Sequence, residues 1–268
     1  MNTLRRKIGW IALPCVLLFV LLYLLPFFIT IGYSLLHNAF DMAFVGLDNY
    51  ASVFSNRYFQ LAVRNTLLVT GVLVIVTACL ALGLAFFLQQ NRSQRHVGLL
   101  LLLLLPMLVP SVSCVALWKN AFHTSAYATT LTCYTALVSL FAWKYTGASA
   151  VVLYVGLRDI NPLLLDAAAL DGAGSVHTYW RISLPCIRNH VTIMVMLLVM
   201  FALRIYKESY LLFGDYPSND MYLLAHYMSN HFIKMHYQNV AVSSVSLASI
   251  CLVLFILIHF IRNREERP

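Results

Sequence analysis

Leu157-Arg158-Asp159-Ile160-Asn161-Pro162-Leu163-Leu164-Leu165-Asp166-Ala167-Ala168-Ala169-Leu170-Asp171-Gly172-Ala173-Gly174 continues through Ile182-Ser183-Leu184-Pro185 to Arg188, with a long apolar run on either side. Asn161 before Pro162 reads as a helix start. The asparagine side chain takes a free amide of the first turn, and proline at the first helical position forfeits no hydrogen bond. Leu163 to Leu170 then favours helix, with three consecutive alanines. Asp171-Gly172-Ala173-Gly174 ends it, because glycine tolerates the left-handed conformation that a helix C-terminus requires. Ser175 is placed to cap a second short helix through Trp180 and Arg181, limited by Pro185. Residues 158–188 are therefore expected to form a helix–turn–helix elbow along a membrane face, with a glycine hinge at Gly172–Gly174.

The flanking runs set the fold class. The 268 residues are 61% hydrophobic and 10% charged, whereas soluble domains carry about a quarter charged residues. Mean hydropathy is +0.78. A spanning helix needs about 20 mainly apolar residues and satisfies its own backbone hydrogen bonds. Apolar runs near 8–36, 61–90, 97–118, 129–157, 189–213 and 238–261 predict an all-α polytopic membrane protein with about six transmembrane helices. One membrane domain covers 1–268, and no second domain is expected. Barrel-type alternation is absent. The fourth run is the weakest, being polar from Thr129 to Thr135 and interrupted by Lys144. Pro106 and Pro110 are expected to kink the third helix. Asn38–Gln60 and Gly214–Tyr237 are each long enough for a short interfacial helix.

Charge orients the spans. Arg5, Arg6 and Lys7 precede the first run, which exceeds the ~7–15 residues of a signal-peptide core, so it reads as an uncleaved span. Basic residues also gather at Arg92 and Arg95, at Arg158, Arg181 and Arg188, and at Arg262, Arg264 and Arg267. An even number of spans then puts both termini in the cytoplasm. The same rule accounts for the net charge of +8 without nucleic acid.

Motifs for chemistry are few. Gly-x-x-x-x-Gly-Lys-Ser/Thr is absent, so the chain does not cradle ATP, and Gly-x-Ser-x-Gly and His-Glu-x-x-His are absent too. No enzymatic activity, cofactor or metal is expected. The six cysteines stand singly and read as small apolar residues. His226, His231 and His236 recur every five residues, a poor helical spacing for one metal.

Ionisable residues within the apolar runs are Lys144, beside Trp143 and Tyr145, and Arg204, Lys207 and Glu208, among Tyr206 and Tyr210. Each costs at least ~2.5–3.5 kcal/mol at a bilayer centre, so such side chains face protein or water. Lys207 and Glu208 point about 100° apart on a helix and do not face each other. Glu208 is within reach of Arg204, one turn earlier, and of Lys144 on another helix. Both pairings stay open.

Asp166-Ala167-Ala168, Gly172 and Ile182-Ser183-Leu184-Pro185 resemble the cytoplasmic loop of ATP-binding-cassette (ABC) importer permeases: Glu-Ala-Ala, a glycine four residues on, and Ile-x-Leu-Pro further along. Leu170-Asp171-Gly172-Ala173 is typical of the carbohydrate branch. Phe44-Val45-Gly46-Leu47-Asp48-Asn49-Tyr50 is similar to that family's Phe-Val-Gly-Leu-x-Asn-Tyr segment, and Asn65-Thr66, Leu105-Pro106 and Trp118 also fit. Asp166 replaces the usual glutamate, and Gly214-Asp215-Tyr216-Pro217 stands where many sugar permeases have a glycine-rich run.

The resemblance implies a type I importer permease fold with a cytoplasmic coupling helix. Asp166, Ala167, Ala168, Gly172, Leu184 and Pro185 would dock into a cytoplasmic ABC ATPase dimer, whose movement rocks the spans. The implied partners are a second, related permease in a heterodimer and an extracytoplasmic solute-binding protein. The place is the bacterial cell membrane and the cargo a sugar or oligosaccharide. Trp143, Lys144, Tyr206, Lys207, Glu208 and Tyr210 are then candidates for the substrate pathway, aromatic faces meeting sugar rings; the competing reading is interhelical pairing or snorkelling. Two other functions compete. An ion-gradient-driven secondary transporter predicts internal repeats and paired midplane carboxylates, of which only Glu208 qualifies. The other is a non-transporting membrane scaffold.

Overall fold

A computed structural model describes residues 14–37, 41–90, 96–122 and 129–264. Residues 8–13 of the expected first span, and the basic residues Arg5, Arg6, Lys7, Arg92, Arg95 and Arg267, lie outside the described residues. The chain falls into two compact units, residues 1–60 with 227–250, and residues 61–226 with 251–268.

In the first unit, helix α1 (Pro14–Ser34) is apolar throughout and has no residue of its most apolar stretch buried within the protein, as suits a helix facing lipid. The Phe44–Tyr50 motif closes its end. Asn49 Nδ2 donates to the Ser34 and Leu36 carbonyls at 3.0 and 2.8 Å, supplying donors that the last turn of a helix lacks. The Val45 amide donates to the Leu35 carbonyl at 2.9 Å, and Gly46 takes a left-handed φ of +60° to turn the chain back. Tyr50 Oη meets Ser34 Oγ at 2.8 Å. Helix α2 (Asp48–Ser55) follows directly. Asn56 Oδ1 then accepts from the Tyr58 and Phe59 amides at 2.9 and 3.3 Å, capping the next helix.

That helix, α3 (Arg57–Gln90), starts four residues before the apolar run because the asparagine cap, not hydropathy, decides its beginning. In the second unit, α4 (His96–Leu108) and α5 (Ser111–Phe122) meet at 84°. Pro110 sits at the break; proline has no amide to continue the ladder. Helix α6 (Thr130–Arg158) is the centre of this unit, with Leu137, Leu140, Phe141, Ala150 and Leu153 fully buried. Its weak polar start is explained by Thr129, whose hydroxyl accepts from the Thr132 amide at 3.2 Å. Two glycines let neighbours approach closely: Gly147 lies against the Leu103 backbone of α4, and Gly156 against His190.

The elbow comprises α7 (Pro162–Leu170) and α8 (Ser175–Cys186). Ser175 does not cap α8 as expected. Gly174, extended at φ −67° and ψ 156°, holds the capping position, and Ser175 is the first helical residue. A wide turn, Tyr179–Ser183, lies within α8. The chain bends 79° into α9 (Arg188–Leu203). The expected fifth run does not continue to 213 as one helix. The Arg204 and Ile205 amides turn to the carbonyls of Phe201 and Ala202, three residues back, and α10 (Tyr206–Phe213) starts afresh. The remaining helices are α11 (Leu224–Ile233) and α12 (Tyr237–Arg264). Among the described residues, four helices are long and apolar enough to cross a membrane, and up to six spans result if each bent pair is one. The protein is an all-α, polytopic membrane protein.

Candidate functional site

Two arrangements in the second unit bear on function. The first is the elbow. Asn161 Oδ1 accepts from the Leu163 amide at 3.0 Å, so the cap read from sequence is present. Gly172 takes φ +77°, and the Ala173 amide returns to the Ala168 carbonyl at 3.0 Å. Helix α7 is thus fixed at both ends. Leu165 and Ala168 turn inward against the protein. Leu163, Asp166, Ala167 and Leu170 form the opposite, exposed stripe at helical spacing. Leu163 and Leu170 keep 73% and 89% of their surface open, on a helix that lies outside the long apolar runs.

The elbow is pinned to the end of α3. Tyr179 Oη donates to the Leu82 carbonyl at 2.8 Å, and its buried ring lies 4.9 Å from that of Phe86. Gln89 Nε2 donates to Ser183 Oγ at 2.8 Å. Leu184 is half-buried, while Pro185 is exposed. Both line an apolar groove of about 670 Å³ with Trp180, Arg188 and Arg262. Neither Tyr179 nor Gln89 stood out in the sequence, because an aromatic and an amide in a helical run carry no pattern.

The second arrangement is a buried ionic cluster. Lys144 Nζ donates to Glu208 Oε1 at 2.8 Å and to Ser111 Oγ at 3.1 Å. Ser111 Oγ donates in turn to Glu208 Oε1 at 2.7 Å. Lys144 and Glu208 are 5% and 7% exposed. Of the two pairings left open, the fold makes the one with Lys144. The breaks create the site: Ser111 is the first residue of α5 after the 84° bend, and Glu208 stands in the first turn of α10, where the helix dipole favours an anion. Ser111 had no signal of its own in the sequence.

The other expected pathway residues are more open. Lys207 is exposed, as is Arg204, the alternative partner for Glu208. Trp143 is partly exposed and packs on Trp118, ring centres 5.2 Å apart; the Trp118 indole donates to Ser139 Oγ at 2.9 Å. Tyr206 and Tyr210 lie 5.7 Å apart. Asn65 and Thr66 act as a clasp on the segment before α11: Asn65 Nδ2 donates to the Asn219 and Tyr222 carbonyls at 2.6 and 3.1 Å, and Thr66 Oγ1 accepts from the Leu224 amide at 2.8 Å. Among the described residues, no three His, Cys, Asp or Glu side chains gather as a metal centre.

His226 lies against Tyr206 and Tyr222 and is 1% exposed. Its Nδ1 accepts from the Leu223 amide at 3.2 Å, which places the neutral ring's proton on Nε2. Burial pushes its pKa down to about 4, against an opposing pull from Asp215. The unfolded chain therefore binds this proton at higher pH than the folded one. The stabilisation is complete above about pH 6.5 and is lost as pH falls towards 4, at about 1.4 kcal/mol per pH unit. Thermal unfolding in detergent is expected to show this loss, flattened in His226→Gln.

No protein-family model matches the chain. Among curated proteins it is 27% identical to the trehalose/maltose transport system permease protein of Thermococcus litoralis, over 80% of this chain and 79% of that one. It is 28% identical to the trehalose transport system permease protein of Mycobacterium tuberculosis, over 78% and 74%. It is 27% identical to an osmoprotective compounds uptake permease protein of Synechocystis, over 64% and 69%. Its fold superposes on a chain of a bacterial ABC transporter involved in import of the acidic polysaccharide alginate, with a TM-score of 0.80, 20% identity and 98% of both chains covered. With the capped elbow, the bent spans and this similarity along most of its length, the chain matches the permease subunits of ABC importers in their carbohydrate- and solute-uptake branch.

Proposed function

We propose that this chain forms half of the translocation pathway of a sugar or oligosaccharide importer and takes its drive from a separate ATPase through residues 158–188. The observation that carries the reading is the exposed Leu163–Asp166–Ala167–Leu170 stripe on a helix fixed by Asn161 and Gly172. Such a stripe suits a groove on the ATPase, with Asp166 at its edge. Ala168 and Leu184 support the lever from within, and the Tyr179 and Gln89 contacts pass its displacement to α3. The relatives named for trehalose and maltose support a sugar as cargo. Trp143, Tyr206, Tyr210 and Lys207 line the pathway, braced by Lys144 and Glu208. A second, related permease completes the cavity in a heterodimer, and an extracytoplasmic solute-binding protein delivers the cargo. Both termini face the cytoplasm of a bacterial cell.

Burying a leucine side chain contributes about 1.5–3 kcal/mol, so Leu170→Glu is expected to weaken ATPase docking by roughly tenfold to a hundredfold. Uptake of labelled trehalose and maltose by cells carrying the variant should fall accordingly, and the ATPase should no longer co-purify. Membrane level and unfolding temperature should stay as in wild type, since Leu170 touches little of its own chain. Undiminished co-purification would overturn the docking assignment.

A further inference from the structure

We infer that His231, His236 and Asn239 form a binding site for a divalent metal of the zinc class. The local fold that makes it lies wholly in the first unit and does not depend on the importer reading. Helix α11 ends in a paired turn: the His236 amide donates to the His231 carbonyl at 2.9 Å, and the Met235 amide to that of Phe232 at 3.0 Å. This double closure brings the side chains six positions apart, counted inclusively, against each other, and usually joins two apolar residues there. Here it joins two imidazoles. Met235 holds the left-handed position at φ +60°, the one non-glycine residue among those described to do so. A glycine is the usual occupant, and such outliers persist where the surroundings over-determine them.

The spacing fits a metal. His231 Nδ1 and His236 Nδ1 lie 3.3 Å apart. Two imidazole nitrogens on one tetrahedral zinc, each about 2.05 Å from the ion, are roughly 3.3 Å apart. Asn239, in the first turn of α12, brings its amide within 3.2 Å of the same His231 nitrogen. Turning that amide over presents its oxygen as a third ligand, and water completes the shell. Without metal, one ring nitrogen donates a proton to the other. Binding moves that proton to Nε2 of the same ring, so no net proton is released. The five-residue interval, poor on a continuous helix, becomes suitable because the helix stops between the two histidines.

Co2+ titration of the full chain in detergent at neutral pH, read by its visible absorption, tests the site. Wild type is expected to bind one equivalent saturably and to release it to Zn2+. His231→Gln and His236→Gln should each weaken binding by tenfold or more, whereas Met235→Gly should retain it. Asn239→Asp should tighten it, a gain that a purely structural role does not predict. The assignment fails if wild type shows no saturable band displaced by Zn2+. It fails equally if either histidine variant binds as wild type does, or if Asn239→Asp leaves the affinity unchanged or lower.

Discussion

Lys144→Met is expected to destabilise the protein by about 3–5 kcal/mol, the cost of leaving a buried carboxylate without its counter-charge. Glu208 Oε1 would keep only the Ser111 hydroxyl. The loss is most of a typical folding free energy of about 5–15 kcal/mol, so membrane levels and unfolding temperature should drop together. Lys144→Met with Glu208→Met removes both charges and should recover most of the loss, because a buried pair gains little over apolar side chains of similar volume. That double variant also separates two roles. If Lys144 and Glu208 only brace three helices, it should transport; if either meets the cargo, it should be stable and inactive. A double variant as unstable as the single one would show that the charges are held by more than each other.

Gly147→Ala should be the next most damaging change, although it adds one methyl group. An added Cβ would run into the Leu103 carbonyl oxygen and lie 2.7 Å from its carbon. Both atoms are backbone, so no rotamer change relieves the clash, and α4 must move away from α6. Overpacking usually costs about 1–3 kcal/mol, and a rigid neighbour puts this case at the upper end or beyond. Close approach through a small residue is also how helices associate in a membrane, where lipid competes for every apolar contact. Gly172→Ala is the control. Nothing lies within 4 Å of its added methyl, and only the φ of +77° opposes it, about 1–2 kcal/mol. Unfolding temperatures of the two variants should rank in that order; a Gly147→Ala protein as stable as wild type would mean that the α4–α6 contact is looser than drawn.

How much was legible follows from the range of each interaction. The elbow could be read residue by residue, since the Asn161 cap, Pro162 and the left-handed Gly172 act within a few positions of themselves. Ser175 was misassigned because Gly174 competes for the same role one residue earlier. The start of α3 was placed late because hydropathy marks where lipid begins, while Asn56 marks where the helix begins. The break at Arg204 carried no proline or glycine to announce it, and it is what gives Glu208 a helix start to stand in.

Apolar run length, helix caps and glycine turns are local properties, and they suffice to specify a bundle of membrane-crossing helices interrupted by a capped elbow. It takes the packed fold to show that Lys144 closes on Glu208 through Ser111, that Ala168 turns inward while Leu163 and Leu170 stay open, and that His231 meets His236. Each of these depends on where a helix bends or stops, and on which face then meets its neighbour. Pairing across such breaks is set by packing in three dimensions, which spacing along the chain does not encode.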